Sequence, residues 1–112
     1  MNNFNALPKF EKEFKRLSKK YKTLDDDFEK FKKVLLATPT GVGKNFVIIH
    51  STETITIVKA RMACRALRDR SLRIVYAHRE SIKTIDFIEL YFKGEQVNEN
   101  RALINEFLRQ FK

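Results

Sequence analysis

Two groups of residues in this chain have the types and spacing that phosphate chemistry uses. The first is the run Gly41, Val42, Gly43, Lys44, Asn45, inside "ATPTGVGKN" at 37–45. In a nucleotide-binding loop, glycines let backbone N–H groups cradle phosphates, a lysine reaches the outer phosphates, and a following Ser or Thr hydroxyl ligates magnesium. Gly41, Gly43 and Lys44 meet those needs, but Asn45 stands where the hydroxyl belongs. Such a loop also leaves a strand and enters a helix. Here "LDDDFEKFKKVLLA" before it repeats Leu24, Phe28, Phe31 and Leu35 at helical spacing, and "FVIIHSTETITIV" after it is strand-like. The order is reversed, so the stretch reads as Pro39 ending a helix and two glycines taking positive-φ positions in a tight connection. No nucleotide cofactor is expected.

The second group is basic. Lys59 and Arg61 alternate at the end of one strand-like run, Arg73 lies in the next, Glu89 and Tyr91 alternate in the last, and Lys93 follows it. Residues two apart in a strand share a face. A register setting Lys59 opposite Arg73, Arg61 opposite Ser71, Arg73 opposite Glu89 and Ser71 opposite Tyr91 gathers Lys59, Arg61, Arg73, Glu89 and Tyr91 on one side. Lys93 falls just beyond, and Arg65, Arg68 and Arg70 of the connecting loop flank the cluster. The other face collects Val58, Ala60, Leu72, Ile74, Tyr76, Ile88 and Leu90 for the core, with Asp86 as its exception. A cross-strand ion pair between Arg73 and Glu89 would be unremarked in any sheet, but it accounts for two residues only. Like charges gathered with few acids repel unless an anion is expected, so the cluster points to phosphate or nucleic acid.

The elements that must carry these residues follow from periodicity. Pro8 opens a helix in which Phe10, Phe14, Leu17 and Tyr21 recur, with Lys9, Lys12, Lys15, Arg16, Lys19 and Lys20 on a solvated face. A short edge strand at Asn3 to Ala6 is an option before it. "KTLDDD" supplies an N-cap in Thr23 or Asp25 and first-turn acids for a second helix. The runs "FVIIH", "TITIVKA", "SLRIVYAH" and "KTIDFIELYF" predict four strands in meander order. A closing helix follows, with Asn98 as N-cap, Glu99 in its first turn, and Leu103, Ile104, Phe107, Leu108 and Phe111 on one face. The fold class is α+β: a helical hairpin packed on a four-stranded, mainly antiparallel sheet, with a C-terminal helix.

Composition bounds the function. A chain of 112 residues makes one domain, 1–112, too small for a complete NTPase. Its charge of +9 favours polyanionic partners. No apolar run approaches a membrane span and no secretory signal opens the chain, so a cytoplasmic location without membrane association is expected. Cys64 is the single cysteine, which rules out an internal disulfide and fits a small buried filler. No metal-ligand spacing occurs, and no metal or other cofactor is expected. His78, in "YAHRE", reads as an exposed turn residue, and His50 carries no stronger signal.

The stretch "IVKARMACRALRDRSLRIVYAH" followed by "IDFIELYFKGEQVNENRALI" resembles the RelE/ParE superfamily of toxins from type II toxin–antitoxin systems, in a RelE-like branch with a longer helical hairpin. The likeness spans nearly the whole chain and is sharpest in "LRIVYA" and "FIELYFKGE". RelE-type members cut mRNA in the ribosomal A site without a metal, and ParE-type members inhibit DNA gyrase. The resemblance implies a ribosome-dependent mRNA endonuclease. Its alternatives are a gyrase inhibitor acting by protein binding and an inactive homologue that binds only an antitoxin. Carried over, the arginine of the family's Arg-x-Val-Tyr strand matches Arg73, the paired basic positions before it match Lys59 and Arg61, and a basic position after the last strand matches Lys93. The C-terminal tyrosine that RelE uses as a base has no counterpart in "VNENRALI", leaving Lys59 or Glu89 as candidate bases. Tyr91 would stack on an RNA base, with Arg65, Arg68 and Arg70 as further RNA contacts. The implied partners are a cognate antitoxin, the ribosome and mRNA.

Overall fold

The computed structural model describes residues 3–68 and 70–111. Strand β1 (Asn3–Ala6) leads into α1 (Pro8–Lys20) and α2 (Leu24–Ala37), followed by β2 (Phe46–Ser51), β3 (Thr56–Ala63), β4 (Ser71–Arg79), β5 (Thr84–Phe92) and α3 (Arg101–Arg109). The sheet has five strands in the order β1-β5-β4-β3-β2. Strands β2 to β5 form the expected antiparallel meander, and β1 joins β5 in parallel, so the optional edge strand is present.

Pro8 starts α1, where its missing N–H costs nothing. Phe10 and Leu17 turn inward and are joined by Leu24, Phe31 and Leu35 of α2 against Val58, Ala60, Leu72, Ile74, Tyr76, Phe87 and Leu90 of the sheet. Thr23 occupies the N-cap position of α2 without a capping bond from its side chain; its hydroxyl donates instead to Asp27 Oδ2 at 2.7 Å. After α2 the chain turns at Pro39, whose carbonyl accepts from the buried Tyr76 hydroxyl at 2.8 Å. Gly41 and Gly43 have φ of 75° and 91°, conformations that side chains disfavour. The "TGVGK" stretch thus runs from helix to strand, as its surroundings imply.

The opposite face is half-covered. Ile104 and Phe107 of α3 pack on Ile57, Val75, Ala77, Ile88 and Tyr91, giving a second apolar cluster. The molecule is therefore helices, sheet, helix, with the end of the second face near Arg61 and Arg73 left open. The N-cap of α3 is Asn100, whose side chain accepts from Leu103 N at 3.2 Å, two residues later than the predicted Asn98. Among the described residues no helix is long and apolar enough to cross a membrane.

Candidate phosphate site

Both predicted registers are displaced by two residues. Arg61, not Lys59, pairs with Arg73; Ser71 pairs with Ala63; and β5 sets Tyr91 opposite Arg73 and Glu89 opposite Val75. A two-residue displacement preserves which side chains share a face, so the basic cluster survives while its neighbours change. The alternation breaks at one point: a bulge in β5 between the Val75 and Tyr76 pairings inserts Ile88 as an extra residue. Phe87 takes the place beneath the helical hairpin, and Ile88 turns to α3, against the expectation for the core face. Asp86 also changes sides, where Arg79 grips it through Nε at 2.8 Å and Nη2 at 3.1 Å.

Arg61 from β3, Arg73 from β4, Lys93 just after β5, and Arg70 ahead of β4 line one open cleft of about 440 Å³ with Ser71, Phe92 and Gly94. No acidic residue lines it. Arg73 Nη1 donates to Ser71 Oγ at 2.8 Å, a contact that orients the guanidinium without neutralising it. Among the described residues, no carboxylate makes a salt bridge with any of these four cations. Of the basic groups that the alternation put on one face, Arg61 and Arg73 meet in this cleft, joined by Lys93 and Arg70 from the strand ends.

Two expected members are held elsewhere. Lys59 Nζ donates to Glu99 Oε1 at 2.9 Å, and Glu99 also pairs with Arg101 at 2.9 Å. The Lys59 ammonium holds the Glu99 carboxyl below its usual range despite burial. Glu89 is 7% exposed and does not pair with Arg73. It accepts from Asn100 N at 2.8 Å and Gln96 Nε2 at 2.7 Å, so it anchors the approach to α3. Neither long-range partner is visible in strand alternation.

The proposed RNA contacts divide in the same way. Tyr91 is 4% exposed in the cluster under α3, leaving no ring face for a base, and burial pushes its hydroxyl above the ordinary range. Arg65 turns to α2, where Nε reaches Asp27 Oδ1 at 3.1 Å and Nη2 reaches Asp26 Oδ2 at 2.8 Å. Arg68 is exposed on the connecting loop at a left-handed φ of 61° and does not line the cleft. Arg70 does. Cys64 is buried in the main core as expected, and burial raises its thiol's pKa. His78 is a half-buried residue within β4 instead of a turn residue, and burial lowers its pKa. Among the described residues no group of three His, Cys, Asp or Glu side chains converges as a metal site.

No family model matches the sequence, and no curated protein does. Solved structures are informative. A chain of the archaeal RelE–RelB complex from Pyrococcus horikoshii OT3 is similar with a TM-score of 0.64 and 20% identity, covering 83% of this chain and 96% of that one. A free-state mutant of the E. coli toxin RelE, with arginines replaced by alanine, is similar with a TM-score of 0.58 and 14% identity, covering 99% and 98%. The helical hairpin, the mixed sheet and the terminal helix of this chain are arranged as in these two RelE structures, so it shares their fold.

Proposed function

We propose that this chain is the toxin of a type II toxin–antitoxin pair and that it cuts mRNA on the ribosome without a metal ion. The observation carrying this reading is the gathering of Arg61, Arg73, Lys93 and Arg70 in a cleft that no acidic residue lines. Like charges at paired positions of a sheet are unfavourable for folding. A ligand that needs them supplies the reason for keeping them. In the proposed reaction a ribose 2′-hydroxyl gives its proton to water and its oxygen attacks the adjacent phosphorus, the bond to the 5′-oxygen breaks, and that oxygen takes up a proton from water, giving a cyclic phosphate and a 5′-hydroxyl. Arg61 and Arg73 face the charge that develops on the phosphoryl oxygens, and Lys93 faces the leaving oxygen. Lys59, two residues before Arg61 on the same strand, is held in its ion pair with Glu99 and positions the entering strand only once that pair opens.

The A site holds and orients the message, so the chain need contribute only charge and alignment. An antitoxin with an acidic segment fits the same face, because neutralising these side chains disarms the cleft. Inducing the chain in bacteria and mapping broken transcripts on ribosomes tests the reading. Breaks should cluster in A-site codons and fall by about 100-fold with Arg73→Ala, the loss typical for a removed transition-state donor. Growth arrest that persists unchanged with Arg73→Ala rejects it.

A further inference from the structure

Lys93 reaches the cleft from a turn and not from a strand. The chain reads Lys93, Gly94, Glu95, so a cation and an acid stand two residues apart. Glu95 N and Gln96 N both donate to Phe92 O, at 2.9 and 3.0 Å, which closes the turn. The two charges nevertheless face different ways. Lys93 and Gly94 line the cationic cleft, whereas Glu95 and Gln96 line a separate cleft of about 320 Å³ beside α1. Arg16 of α1 draws the acid to that side: Nη2 and Nη1 donate to Glu95 Oε1 and Oε2 at 3.2 and 3.5 Å. Its Nε donates to Glu13 Oε2 at 2.9 Å, so Glu13 presets the guanidinium from the same helix and leaves the two Nη groups for Glu95. The hydrogen bonds from Arg16 hold the Glu95 carboxyl below its ordinary range, and it is ionised at neutral pH.

An ionised carboxylate two residues from Lys93 competes with any phosphate for that ammonium. The Arg16–Glu95 pair is exposed, at 49% and 41%, so it contributes little to folding. Its consequence is for the charge of the cleft. We propose that Arg16 is a positioning residue of the cleft: by holding Glu95 against α1 it keeps the acid nearest in sequence away from Lys93 and leaves the ammonium free for an RNA phosphate. The proposal rests on the reading above in taking RNA as the ligand of the cleft. Arg16 acts through Glu95, so its removal cancels one cation of the cleft, and removing the Glu95 charge as well makes Arg16 dispensable.

Single-stranded RNA with a 2′-O-methyl backbone, which cannot be cut, is bound at a series of salt concentrations to the full chain, Arg16→Ala, Glu95→Gln, the double variant and Arg73→Ala. Single-turnover cleavage on ribosomes and thermal melts accompany the titration. Arg16→Ala should flatten the dependence of log K on log salt by roughly 0.7, the share of one phosphate contact. It should slow cleavage on the order of tenfold, less than removal of a transition-state donor, at an unchanged melting temperature. Glu95→Gln alone should impair neither, and adding it to Arg16→Ala should restore both. A double variant as impaired as Arg16→Ala means that Arg16 meets RNA itself. Glu95→Gln as impaired as Arg16→Ala means that the pair tethers the turn. Either result, or an Arg16→Ala chain that behaves as the parent does, overturns the proposal and leaves the ribonuclease reading standing. The expected pattern in binding, from a parent chain that leaves mRNA on ribosomes whole, overturns the ribonuclease reading and keeps this role of Arg16. Binding indifferent to Arg73→Ala overturns both.

Discussion

Arg61 and Arg73 occupy directly paired positions of β3 and β4, two like charges on one face of the sheet. Their repulsion is relieved when one is removed. Arg61→Ser or Arg73→Ser should therefore raise the unfolding free energy by a few tenths of a kcal/mol, the scale of an unfavourable cross-strand pair, while toxicity is lost. Urea denaturation beside a growth assay checks both. A variant that loses stability together with toxicity would mean that the arginines serve packing.

Glu99 draws Lys59 away from the cleft, with Nζ and Oε1 2.9 Å apart. Glu99→Gln should release Lys59 to a polyanion and steepen the dependence of log K on log salt for single-stranded RNA by roughly 0.7, the contribution of one more neutralised phosphate. An unchanged slope in a salt titration would contradict this. Acid should act the same way. The Glu99 carboxyl titrates below its usual range, so the ion pair's contribution to stability is complete above that range and is lost as pH falls through the depressed value.

Asp27 ties α2 to the loop that carries the arginines. It accepts from Thr23 Oγ1 at 2.7 Å, Arg65 N at 3.0 Å and Arg65 Nε at 3.1 Å. Burial pushes its carboxyl upward, but these hydrogen bonds outweigh burial and hold it below the ordinary range. Its folded pKa is depressed, so the stability it contributes is present at neutral pH and disappears in acid. Asp27→Ala should cost about 1–3 kcal/mol at pH 7, with a smaller difference from the parent chain in acid. Thermal melts at several pH values would show it, and a pH-independent difference would not fit.

Glu89 anchors the approach to α3 through Asn100 N and Gln96 Nε2. Glu89→Gln should lower the melting temperature, because a Gln amide cannot accept at both places. The pH profile of cleavage on programmed ribosomes should keep its shape. Disappearance of its acid limb would identify Glu89 as the general base.

The parts legible in the sequence were those that depend on period. Helical spacing in α1, α2 and α3 and alternation in β2 to β5 predict element order, and strand parity alone groups Lys59, Arg61 and Arg73 on one face. Register was not legible, because a period of two is blind to a displacement of two, and the loop from Cys64 to Arg70 closes with a 3₁₀ turn that alternation does not anticipate. The bulge at Ile88 is equally silent, and it moves Asp86 to the face shared with Arg79. The partners of Lys59 and Glu89 come from the segment leading into α3, which only the folded chain brings over the sheet. Tyr91 is lost to the cleft for the same reason: α3 covers it.

The most direct test of the cationic cleft is single-turnover cleavage of mRNA on purified ribosomes with an empty A site, in chelator, for the parent chain, Arg61→Ala and Arg73→Ala. Cleavage in the A-site codon that survives chelation and falls by about 100-fold in each variant is the predicted result. Equal cleavage by the parent and both variants, or no cleavage by the parent chain under conditions where it still arrests growth, would contradict the account.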